Sequence, residues 1–220
     1  MQIKINEIFE TIQGEATFTG QPAVFIRLMG CPVGCPWCDT KHTWVINDEK
    51  ERLFADIFTK VDDSDTYCSL SAHDIVQVVM RRFKAKHIVF TGGEPALYDL
   101  REVTRLLNQY NYTTQIETSA THEIRVSPKT FITVSPKVNM KGGYKVLSAE
   151  LKKADEIKYP IGRERDIDIL SSLIIENDLT CPIWTQPISQ GKRATDICIK
   201  ACTNFNWRLS IQTHKFLNLR

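Results

Sequence analysis

The chain has 220 residues, of which 42% are hydrophobic and 25% are charged, a composition that excludes disordered and collagen-like proteins. Its 28 basic and 26 acidic residues give a net charge of +2, so bulk binding to nucleic acid is not expected. No apolar run approaches the roughly 18 residues of a membrane-spanning helix, and no apolar secretory signal opens the sequence, which predicts a cytoplasmic protein.

Short apolar runs alternate with helical patterns along most of the chain. The apolar runs predict strands at 24–28, 87–90, 114–116, 131–134, 156–158, 183–185 and 208–212. The helical periodicity predicts helices at 71–83, 97–110, 163–177 and 194–206. Ser71 and Asp74 form a capping-box pattern where the first of these helices begins. This alternation favours an α/β fold with parallel strands and right-handed crossovers.

Residues 43–70 fit this alternation poorly. They contain a predicted helix at 53–58 and an acidic stretch. We interpret them as an insertion after the first strand. At about 100–200 residues per domain, the length predicts a single domain, residues 1–220, that carries this insertion.

Polar motifs follow the ends of the predicted strands. They are, in chain order, CPVGCPWCDT, TGGEP, ETS, SPK, TQPIS and QTHK. The loops at the C-terminal edge of a parallel barrel converge on one active site, so these motifs predict a common pocket. The chain is shorter than the roughly 250 residues of a complete eight-stranded barrel, which predicts an incomplete, TIM-like barrel.

The first of these motifs contains three cysteines, Cys31, Cys35 and Cys38, with the spacing C-x3-C-x2-C. Thiolates bind soft metal centres, either zinc or an iron–sulfur cluster. A zinc site would need a fourth ligand, and His42 is close enough in sequence to provide it. Most iron–sulfur clusters have four cysteine ligands, so a cluster with three would keep one iron open for chemistry. The cysteine pattern alone leaves both interpretations open.

Other motifs narrow this choice. The cysteine spacing with Trp37 before the third cysteine, together with Gly92-Gly93-Glu94, resembles the signature of the radical S-adenosylmethionine superfamily. Further segments are TIQGE at 11–15, CDTKHTW at 38–44, ETS at 117–119, SPK at 135–137, QPIS at 186–189 and QTHK at 212–215. Together these segments resemble the 7-carboxy-7-deazaguanine synthase family of queuosine biosynthesis.

The resemblance implies a role for each matched segment. Cys31, Cys35 and Cys38 are expected to bind a [4Fe–4S] cluster, and Thr40 is expected to bind Mg²⁺. The residues expected to contact S-adenosylmethionine are Trp37, Cys38, Asp39, Gly92, Gly93, Glu94, Ser135, Pro136, Lys137, Gln186, Pro187, Ile188 and Ser189. The residues expected to contact the substrate are Ile12, Gln13, Gly14, Glu15, Arg27, Thr91 and His214.

The implied reaction is the radical conversion of 6-carboxy-5,6,7,8-tetrahydropterin to 7-carboxy-7-deazaguanine, with loss of ammonia. An activating enzyme that generates a glycyl radical on a partner protein shares the cysteine and GGE motifs and is the alternative. A non-catalytic zinc or iron–sulfur module is a third interpretation.

The family also implies a radical SAM core reduced to about six strands and three core helices. It further implies a homodimer and a reductant such as flavodoxin, with no direct contact with nucleic acid or a membrane. Cys198 and Cys202 lie on one face of a predicted helix, which favours a core role because free cysteine is commonly buried. No function is assigned to Cys68 or Cys181.

Overall fold

A computed structural model describes residues 2–219 of the chain. Within those residues, nine strands form one sheet in the order β3-β1-β2-β4-β5-β6-β7-β8-β9. The strands are β1 (Ile3–Ile12), β2 (Pro22–Leu28), β3 (Cys68–Leu70), β4 (His87–Gly92), β5 (Thr113–Thr118), β6 (Phe131–Val134), β7 (Glu156–Ile161), β8 (Ile183–Pro187) and β9 (Arg208–Leu209). The helices are α1 (Phe54–Phe58), α2 (Ala72–Arg82), α3 (Arg101–Gln109), α4 (Ser148–Leu151), α5 (Arg165–Glu176), α6 (Lys192–Phe205) and α7 (Thr213–Phe216).

β2 and the strands β4 to β9 pair in parallel, as the alternation of strands and helices predicts. The described strands end in two edges, β3 and β9, so the sheet does not close on itself. This confirms the α/β class and the partial TIM-like barrel. None of the helices in the part of the chain that the structure describes is long and apolar enough to cross a bilayer.

Two strands depart from the parallel arrangement. β1 pairs with β2 in antiparallel fashion, and β3 does the same with β1. The sequence analysis missed β1. The strand that it took as the first is therefore the second, and the segment 43–70 follows this second strand. That segment forms α1 and then returns to the edge of the sheet as β3. It is therefore partly integrated into the sheet.

Two predicted boundaries are also wrong. The last strand spans only Arg208–Leu209. Helix α3 begins at Arg101 and not at residue 97, because Pro95–Leu97 form a separate 3-10 turn. Glu94 caps this turn by accepting a hydrogen bond from the amide of Ala96 at 3.0 Å. Proline early in such a turn is favourable since its φ angle suits the helical region.

The outer face of the sheet is apolar and packs against the long helices. Successive side chains of a strand point to opposite faces, and each buried Val, Leu, Ile or Phe contributes about 1.5–3 kcal/mol. The core residues of this layer include Ile26, Leu28, Ile88, Phe90 and Ile116 from the sheet and Ile75, Val79, Val103 and Leu107 from α2 and α3. The capping box of Ser71 and Asp74 is present at the start of α2. Cys198 of α6 is fully buried, as its predicted core role requires.

The inner face of the sheet is polar at its base. Gln115 Nε2 donates to Thr133 Oγ1, and Thr133 Oγ1 donates to Glu156 Oε1, both at 2.8 Å. His87 Nε2 lies 2.8 Å from Gln115 Oε1. Phe18, in the loop after β1, packs on His87 with ring centroids 4.3 Å apart. These buried groups satisfy one another, as buried polar groups must, and they form a floor to the barrel.

Candidate active site

A cavity of about 730 Å³ lies where the parallel strands end. All of the predicted site residues line it except Gly14 and Pro136. Gly14 lies directly behind His214, since a Cβ on Gly14 would be 2.3 Å from His214 Nδ1. The fold therefore brings motifs from the whole length of the chain into one space, as expected for loops at the C-terminal edge of a barrel.

The cysteine loop follows β2 and is bent by Gly30, whose φ of +91° favours glycine. The Gly30 amide donates to the carbonyl of Thr43 at 2.7 Å, and the Cys31 amide donates to the carbonyl of Trp44 at 3.0 Å. Trp44 Nε1 also lies 3.4 Å from Cys38 Sγ. The residues just after the loop thus hold its start in place and contact its third cysteine.

The GGE segment at the end of β4 packs directly on this loop. A Cβ on Gly93 would lie 2.2 Å from the carbonyl oxygen of Gly30, and the Glu94 amide donates to that same oxygen at 2.7 Å. A Cβ on Gly92 would lie 2.4 Å from the amide nitrogen of Leu28. The two glycines are therefore required by the close approach of β4 to β2 and the cysteine loop.

The Glu94 carboxylate is almost completely buried, at 2% exposure. One oxygen accepts from the Ala96 amide and the Thr118 hydroxyl, and the other accepts from the amide and the hydroxyl of Ser119. Hydrogen bonds to an ionised acceptor are strong. The ETS segment at the end of β5 therefore holds this carboxylate in one orientation.

The three cysteines present a soft donor set to the cavity. Burial raises the pKa of Cys31 to about 11 and also raises the pKa of Cys35, so both are neutral thiols in the chain alone. Within residues 2–219, no group of three His, Cys, Asp or Glu side chains lies close enough together to hold a metal ion. The donor chemistry fits a thiolate-bound cluster, whose positive iron ions would displace the thiol protons.

An ion cluster of two carboxylates and one lysine lines the cavity. Lys158 of β7 forms ion pairs with Glu15 and with Glu117, the latter at 2.8 Å. Burial opposes the ionisation of Glu15 and of Lys158, but the opposite charges dominate. They lower the pKa of Glu15 to about 2 and raise the pKa of Lys158. Glu15 and Lys158 therefore form a charged pair at neutral pH, and Glu117 is the second carboxylate in contact with the ammonium group.

Glutamine side chains surround this cluster. Glu15 Oε1 accepts from Gln212 Nε2 at 2.8 Å and from Gln186 Nε2 at 3.3 Å. Gln13 Nε2 donates to Glu117 Oε1 at 3.0 Å. Gln186 belongs to the segment expected to contact S-adenosylmethionine, yet its amide lies on the Glu15 side of the cavity. Fixed acceptors and donors alternate across this wall, which suits a planar ligand with its own pattern of N–H groups.

The opposite wall carries Arg27, which donates from Nε to Glu7 Oε1. Thr40 lies beside the cysteine loop, with its hydroxyl 3.6 Å from Cys38 Sγ. At the mouth, Asp39 and Lys215 form an ion pair at 3.2 Å. Both the cysteine loop and the C-terminal segment therefore contribute to the rim of the cavity.

Two further residues of the cavity wall, His214 and Lys137, have pKa values that are changed by burial. Burial lowers the pKa of His214 and of Lys137 below their ordinary values. Lys137 Nζ donates to the carbonyl of Ser135 at 2.8 Å. The SPK segment is thus folded back on itself at the end of β6.

The sequence analysis assigned no role to Glu7, Glu117 or Lys158. Glu117 stands in the matched ETS segment, which could have marked it. Lys158 lies between Ile157 and Tyr159 in β7, and Glu7 lies within β1. A charged residue directly beside apolar residues of a strand is the signal that was available. Charged side chains are seldom fully buried unless they are paired, and their partners here are distant in sequence.

The chain is similar in sequence and in structure to known proteins. No protein-family model matches the chain. A 7-carboxy-7-deazaguanine synthase of Escherichia coli K12 is 52% identical over the full length of both chains, and one of Buchnera aphidicola is 45% identical, again over both full lengths. The crystal structure of QueE from Escherichia coli superposes with a TM-score of 0.93 at 51% identity, covering 96% of this chain and 94% of that one.

Proposed function

The chain belongs to the 7-carboxy-7-deazaguanine synthase family, and from this premise we propose that it converts 6-carboxy-5,6,7,8-tetrahydropterin to 7-carboxy-7-deazaguanine with loss of ammonia. The observation that carries the proposal is the single cavity in which the three cysteines face the same space as the Glu15–Lys158–Glu117 cluster. Iron–sulfur ligands and recognition groups for a small polar molecule are thus combined, as a small-molecule radical enzyme requires.

The cofactor side of the cavity is formed by the loops after β2 and β4. Cys31, Cys35 and Cys38 would hold a [4Fe–4S] cluster, and the GGE segment beside them would contact S-adenosylmethionine. With these groups bound and reduced, the site would supply radical chemistry that abstracts a hydrogen atom from the substrate. The chain's own contribution is to fix the cysteine loop against Gly93 and to hold Glu94 in one orientation through Thr118 and Ser119.

The substrate side is formed by the ion cluster and the glutamines. A reduced pterin has a guanine-like edge with a ring N–H next to an amino group, and a carboxylate accepts from both together. Glu15 and Glu117 are acceptors already held in place by Lys158, so they are oriented before the substrate binds. Arg27 would pair with the substrate carboxylate. The site would hold the substrate in a fixed orientation toward the cofactor side of the cavity, which lowers the entropic cost of the reaction.

Thr40 is proposed to take part in Mg²⁺ binding. Magnesium prefers oxygen ligands, keeps several waters and is commonly completed by substrate oxygens. A single hydroxyl is a weak site by itself, so the metal would bind firmly only together with the substrate carboxylate. The position of Thr40 on the cavity wall next to the cysteine loop supports this role.

The remaining proposals concern partners and location. A protein such as flavodoxin would supply the electron, and the chain would form a homodimer and act in the cytoplasm without direct contact with nucleic acid or a membrane. The exposed apolar side chains of Phe216 and Leu217 on and next to α7 support association with a second copy. The seven cysteines, all in the described part of the chain, are free thiols, which supports a reducing compartment.

The test is turnover of the reduced, reconstituted enzyme with S-adenosylmethionine, Mg²⁺ and the tetrahydropterin labelled with deuterium at C6. We expect 7-carboxy-7-deazaguanine as product and deuterium in the recovered S-adenosylmethionine. Retention of all the label in unreacted substrate would contradict the proposal. Turnover that requires an added partner protein would instead indicate a glycyl-radical activating enzyme.

A further inference from the structure

Glu7 reaches the cavity because β1 contains an irregularity. In the pairing of β1 with β2, Ile5 is opposite Leu28 and Glu7 is opposite Arg27, so Asn6 is one residue in excess. A β-bulge of this kind redirects the side chains that follow it and is common next to active sites. Without it, Glu7 would share the core-facing side with Ile5. With it, Glu7 lines the cavity.

The bulge is held by Asn6 itself, which is completely buried. Its Nδ2 donates to the carbonyls of Ser64 and Thr66, each at 2.9 Å. These two residues belong to the segment 43–70 that returns to the sheet edge. The side chain of Asn6 is therefore tied to the neighbouring segment, and the position of Glu7 is determined by fixed contacts.

Glu7 in turn restrains Arg27. Arg27 Nε donates to Glu7 Oε1, and the side chains are 19% and 5% exposed respectively. The guanidinium also lies over the ring of Phe9, with Cζ 5.7 Å from the ring centroid. With Nε engaged by Glu7, recognition of a carboxylate is left to the two Nη groups, which form the end-on bidentate pair.

We propose that Glu7 is a positioning residue for the carboxylate subsite. It orients the guanidinium of Arg27 so that its Nη groups receive the carboxylate of the pterin, and it contacts no reacting atom. The inference rests on the proposed function, because it takes the substrate carboxylate to be the partner of Arg27. It assigns a role to a residue that lies in β1, away from the matched motifs.

The hydrogen bond of Glu7 and its negative charge have opposite effects on the binding of a carboxylate by Arg27. As an anion, Glu7 offsets the attraction between Arg27 and a carboxylate, so its charge works against binding. As an acceptor, it orders a flexible side chain before the ligand arrives, which reduces the entropic cost of binding. Glu7→Gln keeps an acceptor at nearly the same place and removes the charge, whereas Glu7→Ala removes both.

The experiment measures equilibrium binding of 6-carboxypterin and of pterin, which lacks the carboxylate, to the reconstituted enzyme with S-adenosylmethionine and Mg²⁺. The readout is the ratio of the two dissociation constants. For Glu7→Ala we expect the preference for 6-carboxypterin to fall about tenfold, which is about 1.4 kcal/mol, because Arg27 loses the acceptor that orients it. For Glu7→Gln the preference is expected to stay within about threefold of the parent.

Two further variants complete the design. Glu10→Ala, on the same strand but exposed and outside the cavity lining, is the matched control and is expected to keep the preference. Adding Glu7→Ala to Arg27→Ala is expected to cause no further loss, because a positioning residue acts only through its partner. Binding of pterin without the carboxylate reports whether each variant still forms the pocket.

The outcomes are distinguishable. An unchanged preference in Glu7→Ala overturns the role of Glu7, as does an equal loss in Glu7→Gln and Glu7→Ala or a further loss in the double variant. A parent enzyme that does not distinguish 6-carboxypterin from pterin contradicts the proposed partner of Arg27 and hence the proposed function, whatever Glu7 does.

Discussion

The parallel strands and the antiparallel strand β1 contribute lining residues to the cavity from different positions along the strand. The loops after β2 and β4 contribute the cysteines and Gly93-Glu94. β1 contributes Glu7 and Phe9 along its length, and Gln13 and Glu15 from the turn that follows it. Damage to the cysteine loop or to the GGE segment should therefore remove cofactor chemistry and spare pterin binding, whereas damage to β1 and its turn should weaken pterin binding and spare the cluster.

Cys31→Ala is expected to have the largest effect of the variants that test this division. We expect complete loss of the visible absorbance of the cluster and of 5′-deoxyadenosine formation, because the two remaining thiols cannot hold the cluster. Binding of 6-carboxypterin, measured by fluorescence, is expected to remain within about threefold of the parent, since the contacts of Glu15 and Glu117 are untouched. Full turnover by this variant would refute the role of the loop.

Lys158→Met removes the cation shared by Glu15 and Glu117. Two buried carboxylates without a counter-charge repel each other, so one of them is expected to take up a proton near neutral pH. Loss of one partner of a buried ion pair costs about 3–5 kcal/mol, measured as the free energy of unfolding in urea. Pterin binding should weaken strongly and become pH-dependent near neutrality.

Lys50→Met is the matched control for that variant, since Lys50 pairs with Asp65 at 3.3 Å and the two side chains are 41% and 45% exposed. Exposed ion pairs contribute at most about 1 kcal/mol. Equal losses of stability in the two variants would show that the buried cluster has no special contribution.

The pH dependence of the unfolding free energy in the acid range tests the contribution of Glu15. Its folded pKa is about 2, against an ordinary value of 4.5, so its contribution is complete above pH 4.5 and is lost as the pH falls toward 2. Between pH 5 and pH 3 this amounts to about 2 kcal/mol of unfolding free energy. Glu15→Gln should flatten the pH dependence by that amount in parallel urea titrations, and identical slopes would count against the ion pair.

Gly93→Ala probes the close contact between the GGE segment and the cysteine loop. The added methyl group would meet the carbonyl oxygen of Gly30 at 2.2 Å, so the backbone must shift, at a cost of about 1–3 kcal/mol. Gly191→Ala is the control, since its nearest neighbouring atom lies 3.6 Å away. Thermal unfolding should separate the two, and the rate of S-adenosylmethionine cleavage should fall only in Gly93→Ala.

Thr40→Ala should have the smallest effect. Loss of one oxygen ligand from a site completed by substrate and water is expected to raise the Mg²⁺ concentration for half-maximal turnover several-fold, about 1 kcal/mol or less. The contents of the cluster and pterin binding without Mg²⁺ should not change. An unaltered Mg²⁺ titration would remove Thr40 from the metal site.

The same division explains what the sequence alone could predict. The parallel strands are short apolar runs, and their motifs stand at their ends, so both strand and site follow from local pattern. β1 has the sequence IKINEIFETI, in which Asn6 and Glu7 interrupt the alternation that marks a strand. Those two residues are polar because Asn6 forms the bulge and Glu7 faces the cavity. Their polarity breaks the strand pattern, and β1 was missed for this reason.

The ion cluster could not be predicted for a different reason. Glu15, Glu117 and Lys158 come from three separate parts of the chain, and nothing in their local spacing indicates that they meet. The pairing depends on the tilt and order of the strands, which determine which inward-facing positions lie at the same depth of the barrel. By contrast, the three cysteines lie within one loop, so their spacing alone predicts that they are neighbours.

The hydrogen bond between Glu15 and Gln212 joins residues 197 positions apart, and this separation has a consequence for protein synthesis. Chains begin to fold from their N-terminal part while they are being made, so β1 and the turn carrying Glu15 exist long before Gln212 and His214 leave the ribosome. A nascent chain can assemble most of its sheet and still lack one wall of the cavity. The wall that carries Gln212 and His214 is therefore the last part of the proposed pterin site to form, when the final segment packs against Gly14.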